Sequence, residues 1–167
     1  LPGNDDVGRW NFTIKFEDEY KRSVTLPVGL TIVNVNDEPA AVISTPINNS
    51  RVKAGTEIEF NGNRSSDPDL RYGDELEFEW WSNVTGWLGN SSVLKTELVD
   101  PGFHKITLTV RDLSGSESFA TVYVYVYLDN DNDGLDDLVE DTDDDNDGMP
   151  DSFELKYGLN PTDAGDA

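Results

Sequence analysis

Asp129, Asp131 and Asp133 alternate with asparagines, Gly134 follows at the sixth position of the run, Asp137 stands at the ninth and Glu140 at the twelfth. The same pattern returns as Asp143, Asp145, Asp147, Gly148, Asp151 and Glu154. Such a stretch cannot fold on its own: neighbouring like charges repel, and there is little apolar surface to bury. The spacing resolves that conflict if the backbone wraps round a cation and turns the first three carboxylates inward. Glycine at the sixth position permits the sharp bend at little steric cost. The seventh position contributes only a main-chain carbonyl, which leaves the side chains of Leu135 and Met149 free for a small apolar contact. The two expected ligand sets are therefore Asp129, Asp131, Asp133, Leu135, Asp137 and Glu140, and Asp143, Asp145, Asp147, Met149, Asp151 and Glu154, with each glutamate closing its cage through both oxygens. Calcium suits so many carboxylates in flexible spacing better than magnesium does, and transition metals would call for His or Cys.

The charge distribution supports a cation requirement. Residues 129–167 hold fifteen of the 34 acids and one of the twelve bases, a net −14 out of −22 for the whole chain of 167 residues. Metal-free, this tail should be extended; loaded, the ions supply its missing core. A chain so acidic is unsuited to nucleic acid. It has no cysteine, hence no disulfide framework and no thiolate site, and calcium is the expected staple instead. No apolar run is long enough to cross a membrane, and the first residues do not read as a signal peptide. Sequons at Asn11, Asn48, Asn63, Asn83 and Asn90 point to an extracellular or cell-surface glycoprotein.

The opening residues alternate with period two. Trp10, Phe12, Ile14 and Phe16 share one face, and Val24, Leu26, Val28, Leu30 and Ile32 repeat the pattern after a charged turn, which predicts a β-hairpin. A lone hairpin cannot bury its apolar face. It is therefore expected to be the closing part of a second, incomplete sandwich, continued on a longer chain or completed by a partner in trans. From residue 40 to 126, short alternating runs divided by polar turns predict an all-β sandwich, with strands over 41–44, 57–61, 75–81, 93–98, 105–112 and 119–128. Leu76, Phe78 and Trp80 face one way, as do Ile106, Leu108 and Val110, and as do Val122, Val124 and Val126. Tyr123, Tyr125 and Tyr127 form an outward stripe, and Trp81 and Trp87 are expected to be exposed.

Three resemblances join these pieces. Lys53 to Gly62, Ser65-Ser66-Asp67-Pro68-Asp69, Glu77-Phe78-Glu79-Trp80 and Gly102 to Asp112 resemble a PKD (polycystic-kidney-disease) domain, an Ig-like sandwich. The chain departs from that pattern after Trp80, where Trp81-Ser82-Asn83-Val84-Thr85-Gly86 replaces the usual Gly-Asp-Gly turn. Asn34-Val35-Asn36-Asp37-Glu38-Pro39 resembles the linker of cadherin-like repeats, and the doubled acidic loops with Tyr157-Gly158-Leu159-Asn160-Pro161 resemble thrombospondin type-3 repeats of microbial surface proteins. Together they imply three segments: residues 1–38, the last strands of a cadherin-like domain and a linker; 39–128, a PKD-like sandwich; and 129–167, a loop-rich calcium tail. The PKD resemblance further implies a third calcium site made by Asn36, Asp37, Asp67, Asp69 and Asp112. Without it, Asp67 and Asp69 simply cap a turn at Pro68.

No nucleophile stands with a base, and the single histidine, His104, shares strand parity with Ile106, so the expected protein is not an enzyme. The reading is a calcium-rigidified structural or adhesive module of a secreted or surface protein: a stalk, a surface layer or a filament subunit. Its partners would be neighbouring domains or identical subunits packed head to tail. The alternative is an accessory module of a larger secreted hydrolase that holds glycans or fibrous protein through Trp81, Trp87 and the tyrosine stripe.

Overall fold

The computed structural model describes residues 3–166. A short 3-10 turn at Asn4–Asp6 leads into β1 (Gly8–Glu17), which pairs antiparallel with β2 (Ser23–Ile32). The register sets Trp10 opposite Leu30, Phe12 opposite Val28, Ile14 opposite Leu26 and Phe16 opposite Val24. These pairs stand on one face of the ribbon, and most of their side chains are exposed. The hairpin is thus formed as its alternation predicts, with no layer over its apolar face among the described residues.

The sandwich follows. β3 (Ser50–Lys53), β9 (Glu117–Tyr127), β8 (Gly102–Arg111), β5 (Glu77–Ser82) and β6 (Gly86–Gly89) form one sheet in that order, and β4 (Glu57–Asn61) pairs with β7 (Val93–Glu97) to form the other. All pairings are antiparallel except β3 with β9. Phe60, Trp80, Leu98, Ile106, Leu108, Val110, Val122, Val124 and Val126 are buried between the sheets. Trp80 lies 5.5 Å from Phe60 between ring centroids and donates its Nε1–H to the Ser91 carbonyl at 2.8 Å, so its one polar group is satisfied inside the core.

The strand reading needs three corrections. Residues 41–44 are not a strand. Ala40 and Thr45 make only isolated bridges, to Ser66 and Asn61, while the Val42 N–H goes to the Ser65 hydroxyl. Polar side chains there compete with a ladder for the backbone donors. β3 and β6 were not predicted, because Ser-Arg-Val-Lys has no alternation and Gly-Trp-Leu-Gly is bounded by glycines. At Gly89 a Cβ would stand 2.7 Å from Leu94 Cδ1, so glycine lets β6 sit close against the second sheet without displacing that side chain.

After β9 the chain enters the tail directly. A short helical turn is expected over Leu135–Glu140 and over Asp151–Tyr157; the second is formed as α1 (Asp151–Tyr157), whereas in the first, residues 137–140 form a hydrogen-bonded turn instead. No helix of the described chain is long and apolar enough to cross a membrane.

Candidate metal centres

The second loop gathers its ligands most completely. Asp143, Asp145 and Asp147 each place a carboxylate oxygen within 4.8 Å of the others. One oxygen of each holds the loop: Asp143 Oδ2 accepts from Gly148 N (3.2 Å), Asp145 Oδ1 from Asp147 N (3.2 Å) and Asp147 Oδ1 from Met149 N (2.7 Å). The other oxygens, Asp143 Oδ1, Asp145 Oδ2 and Asp147 Oδ2, are shielded from solvent without a hydrogen-bond partner. Gly148 has φ +95°, and its counterpart Gly134 +94°, the left-handed bend the sixth position was expected to need. α1 then brings Glu154 alongside, outside the trio whose oxygens lie within 4.8 Å of one another, fully buried with neither carboxylate oxygen paired. Burial first, and the charges of Asp145 and Asp147 next, push the Glu154 carboxyl above its ordinary value. Asp151 faces elsewhere, its Oδ1 accepting from Asp144 N at 2.8 Å.

The first loop differs although its sequence matches. Asp129, Asp131 and Asp133 cluster in the same way, and Asp129 Oδ1 and Asp131 Oδ2 have no hydrogen-bond partner. Lys53 Nζ lies 3.8 Å from Asp129 Oδ1 and donates to Asn132 Oδ1 at 2.5 Å. Glu140 does not join these three. It takes Arg51 Nη2 at 2.5 Å, and the Arg51 guanidinium lies 4.2 Å over the Tyr127 ring. Two cations of β3 therefore lean on the tail. Asp137 accepts from Asn130 N at 3.1 Å and groups with Asp141 and Asp144, not with the first three aspartates. At this junction burial, then the charges of Asp151, Asp137 and Asp141, push the Asp144 carboxyl up to about 6. Asp136, which the loop pattern does not single out, is 1% exposed and accepts the Tyr125 hydroxyl at 2.5 Å. Much of the tyrosine stripe is thus used internally: Tyr125 by Asp136 and Phe103, Tyr127 by Arg51, with Tyr123 left exposed.

The linker pole holds a third set. Asp67 and Asp69 are buried, and with Asp74 they bring carboxylate oxygens within 4.8 Å of one another. Asp67 Oδ1 caps the 3-10 turn at Pro68–Tyr72 by accepting Asp69 N at 2.6 Å, while Asp67 Oδ2 and Asp74 Oδ2 have no partner. The turn-capping role and an inward-facing oxygen therefore coexist. Asp69 Oδ2 accepts Asp37 N at 2.6 Å; the Asp37 carboxylate accepts Asn4 Nδ2 at 2.5 Å. Asn36 spends its Nδ2 on Asp112 Oδ2 (2.7 Å) and Ser116 Oγ (3.1 Å). That bond holds the Asp112 carboxyl below its usual range, whereas burial and the charges of Asp74, Asp69 and Asp112 push Asp67 above it. Of the five residues implied here, Asp67 and Asp69 meet in the cluster, Asp112 stands beside it, and Asn36 and Asp37 brace it. Asn4 and Asp74 were missed. Asp74 had a findable signal in its place just past the Asp67-Pro68-Asp69 turn; Asn4 had none. Changing Asp67→Asn together with Asp69→Asn is expected to lower calcium stoichiometry by one, as counted by equilibrium dialysis; an unchanged count removes this site.

Elsewhere, His104 is fully buried, with Nδ1 2.9 Å from Ser82 Oγ and Nε2 2.8 Å from the Asp100 carbonyl. Both nitrogens are committed, Nδ1 to the end of β5 and Nε2 to the loop before β8. All five sequon asparagines are exposed. Trp81 and Trp87 are exposed as expected, and Trp87 walls an open cleft of about 460 Å³ with Glu77, Glu79, Thr109 and Arg111.

No family model and no curated protein matches the chain. Solved structures do. A nucleoside hydrolase-related protein from Saccharophagus degradans associated with carbohydrate metabolism aligns over 55% of this chain and 26% of its own at 22% identity, TM-score 0.45. A carbohydrate-binding module of the β-sandwich superfamily aligns over 57% and 36% at 22% identity, TM-score 0.47. Fibronectin(III)-like modules of Clostridium thermocellum CbhA align over 52% and 93% at 14% identity, TM-score 0.43. The alignments cover about a quarter and a third of the first two chains.

Proposed function

We propose that this chain is a calcium-stiffened spacer or adhesion segment of an extracellular or cell-surface protein, in which bound ions fix the opening hairpin and the acidic tail to a PKD-like sandwich. The observation that carries the proposal is the second loop, where buried carboxylate oxygens converge with no donor to pair them. Leaving such groups unpaired costs several kcal/mol in total at about 1–3 kcal/mol each, and a divalent cation offsets that cost while neutralising the repulsion. Asp143, Asp145, Asp147 and Glu154 would hold one ion, with Met149 offering its carbonyl. Asp129, Asp131 and Asp133 would hold another more loosely, and Asp67, Asp69 and Asp74 a third.

Extracellular sites with affinities of about 0.1 to 1 mM still fill where calcium is millimolar. At ten times Kd each ion adds about 1.4 kcal/mol to the folded form. The linker site joins the residues on either side of the hairpin, Asn4 and Asp37, to the sandwich, so its ion would limit swivelling there. The uncovered apolar face of the hairpin is where a neighbouring domain or a second copy would pack, head to tail in a filament. Small-angle scattering of the whole chain is the test: the maximum dimension should change between calcium and EGTA, and identical profiles would end this reading. A second reading, an accessory module that holds saccharide, is favoured by the cleft beside Trp87. Retention on insoluble polysaccharide that is lost in Trp87→Ala would support it.

A further inference from the structure

We infer that Asp166 is a direct ligand of the cation in the second loop, so that the cage is closed by the last turn of the described chain and not by the loop and α1 alone. This inference rests on the calcium reading above. The Asp166 carboxylate is divided as those of the loop aspartates are. Oδ2 accepts a main-chain N–H, from Asn160 at 2.9 Å, and Oδ1 is shielded from solvent with no partner.

The route that brings it back is local. Gly158 ends α1 with φ +80° and returns its N–H to the Glu154 carbonyl, and Leu159 N donates to the same carbonyl at 2.9 Å. The chain therefore reverses directly on the residue whose side chain faces the loop. Asn160 then fixes Asp166, and Asn130 Nδ2 donates to the Thr162 carbonyl at 3.2 Å, pinning the returning segment against the first loop. The Asp166 charge acts on both Asp145 and Glu154 from outside the trio of Asp143, Asp145 and Asp147, whose oxygens lie within 4.8 Å of one another. Counting its Oδ1, six buried carboxylate oxygens are unpaired around the second loop: one each from Asp143, Asp145, Asp147 and Asp166, and two from the fully buried Glu154. Six oxygens with a main-chain carbonyl fall within the six to eight that calcium takes. Asp163, exposed and bonded through Oδ1 to Gly165 N at 3.2 Å, has no such place.

The test is calorimetric titration of the whole chain with calcium chloride, comparing Asp166→Asn, Asp163→Asn and Asp145→Asn. Asp166→Asn is expected to weaken one site by about tenfold or more, through loss of an anionic ligand. Asp163→Asn, with the same change of net charge, should shift it by less than about twofold. In calcium, hydrogen exchange at residues 159–165 should speed up in Asp166→Asn and stay slow in Asp163→Asn. If Asp145→Asn removes a site while Asp166→Asn behaves like Asp163→Asn in both measurements, Asp166 lies outside the shell and the inference fails while the calcium reading stands. If Asp145→Asn also changes nothing, the calcium reading itself fails.

Discussion

Glu154→Gln should abolish the calcium-dependent order of residues 141–166 and leave the melting of the sandwich in place. Glutamine keeps the size of the side chain but removes the charge and one of two oxygens that would meet the ion, and puts an N–H₂ donor in its place. Affinity at this site should fall by about a hundredfold or more, since both ligand charge and bidentate closure are lost. The sign differs without metal. Glu154 is fully buried among Asp145, Asp147 and Asp166, an arrangement that resists its ionisation, so a neutral amide relieves repulsion in the metal-free tail. The variant should therefore be no less ordered than the parent in EGTA and much less ordered in calcium. Hydrogen exchange read along residues 141–166 in both buffers checks it; calcium-dependent protection that survives the change would show that this cage does not organise the tail.

Trp80→Ala is expected to cost about 3–5 kcal/mol of sandwich stability, the range for emptying a large aromatic site in a packed core. Trp80 is fully buried, packed at a tilt against Phe60, and donates to the Ser91 carbonyl, which would be left without its donor. For a domain near a hundred residues each kcal/mol shifts Tm by about 4–8 °C, so the drop should exceed about 12 °C. Denaturant titration in saturating calcium measures it. A loss below about 1 kcal/mol would mean that the two sheets do not pack through this residue.

How far the sequence reached is clearest from individual residues. Period-two alternation placed Ile106, Leu108, Val110, Val122, Val124 and Val126 in the core, because inside and outside are written at every second position of a long strand. Alternation is lost where a strand is short or carries charge. β3 was invisible because Arg51 and Lys53 are there to meet the tail, a long-range electrostatic partnership with no local period. The same partnership explains why two loops of one pattern differ. Glu140 and Glu154 occupy identical positions in their repeats, yet Arg51 stands within reach of one and no base is paired with the other among the described residues. Spacing predicts which side chains can turn inward; which of them do is decided by neighbours far away in the chain. Asn4 at the linker pole belongs to that second kind, since it meets Asp37 and Asp69 only in the folded chain; Asp74 instead follows directly on the Pro68–Tyr72 turn.

The parallel pairing of β3 with β9 bears on how the chain would carry tension. Tension entering through the linker pulls β3 from its first residue, and tension leaving through the tail pulls β9 from its last. In parallel neighbours those two pulls are opposed along the strand axis, so the rungs from Ser50–Val124 to Lys53–Tyr127 share the load and must yield together. An antiparallel pair gripped at one end would instead unzip rung by rung. Arg51 and Lys53 lie within the loaded rungs and hold the first loop, so the acidic tail fastens the same strand that resists the pull.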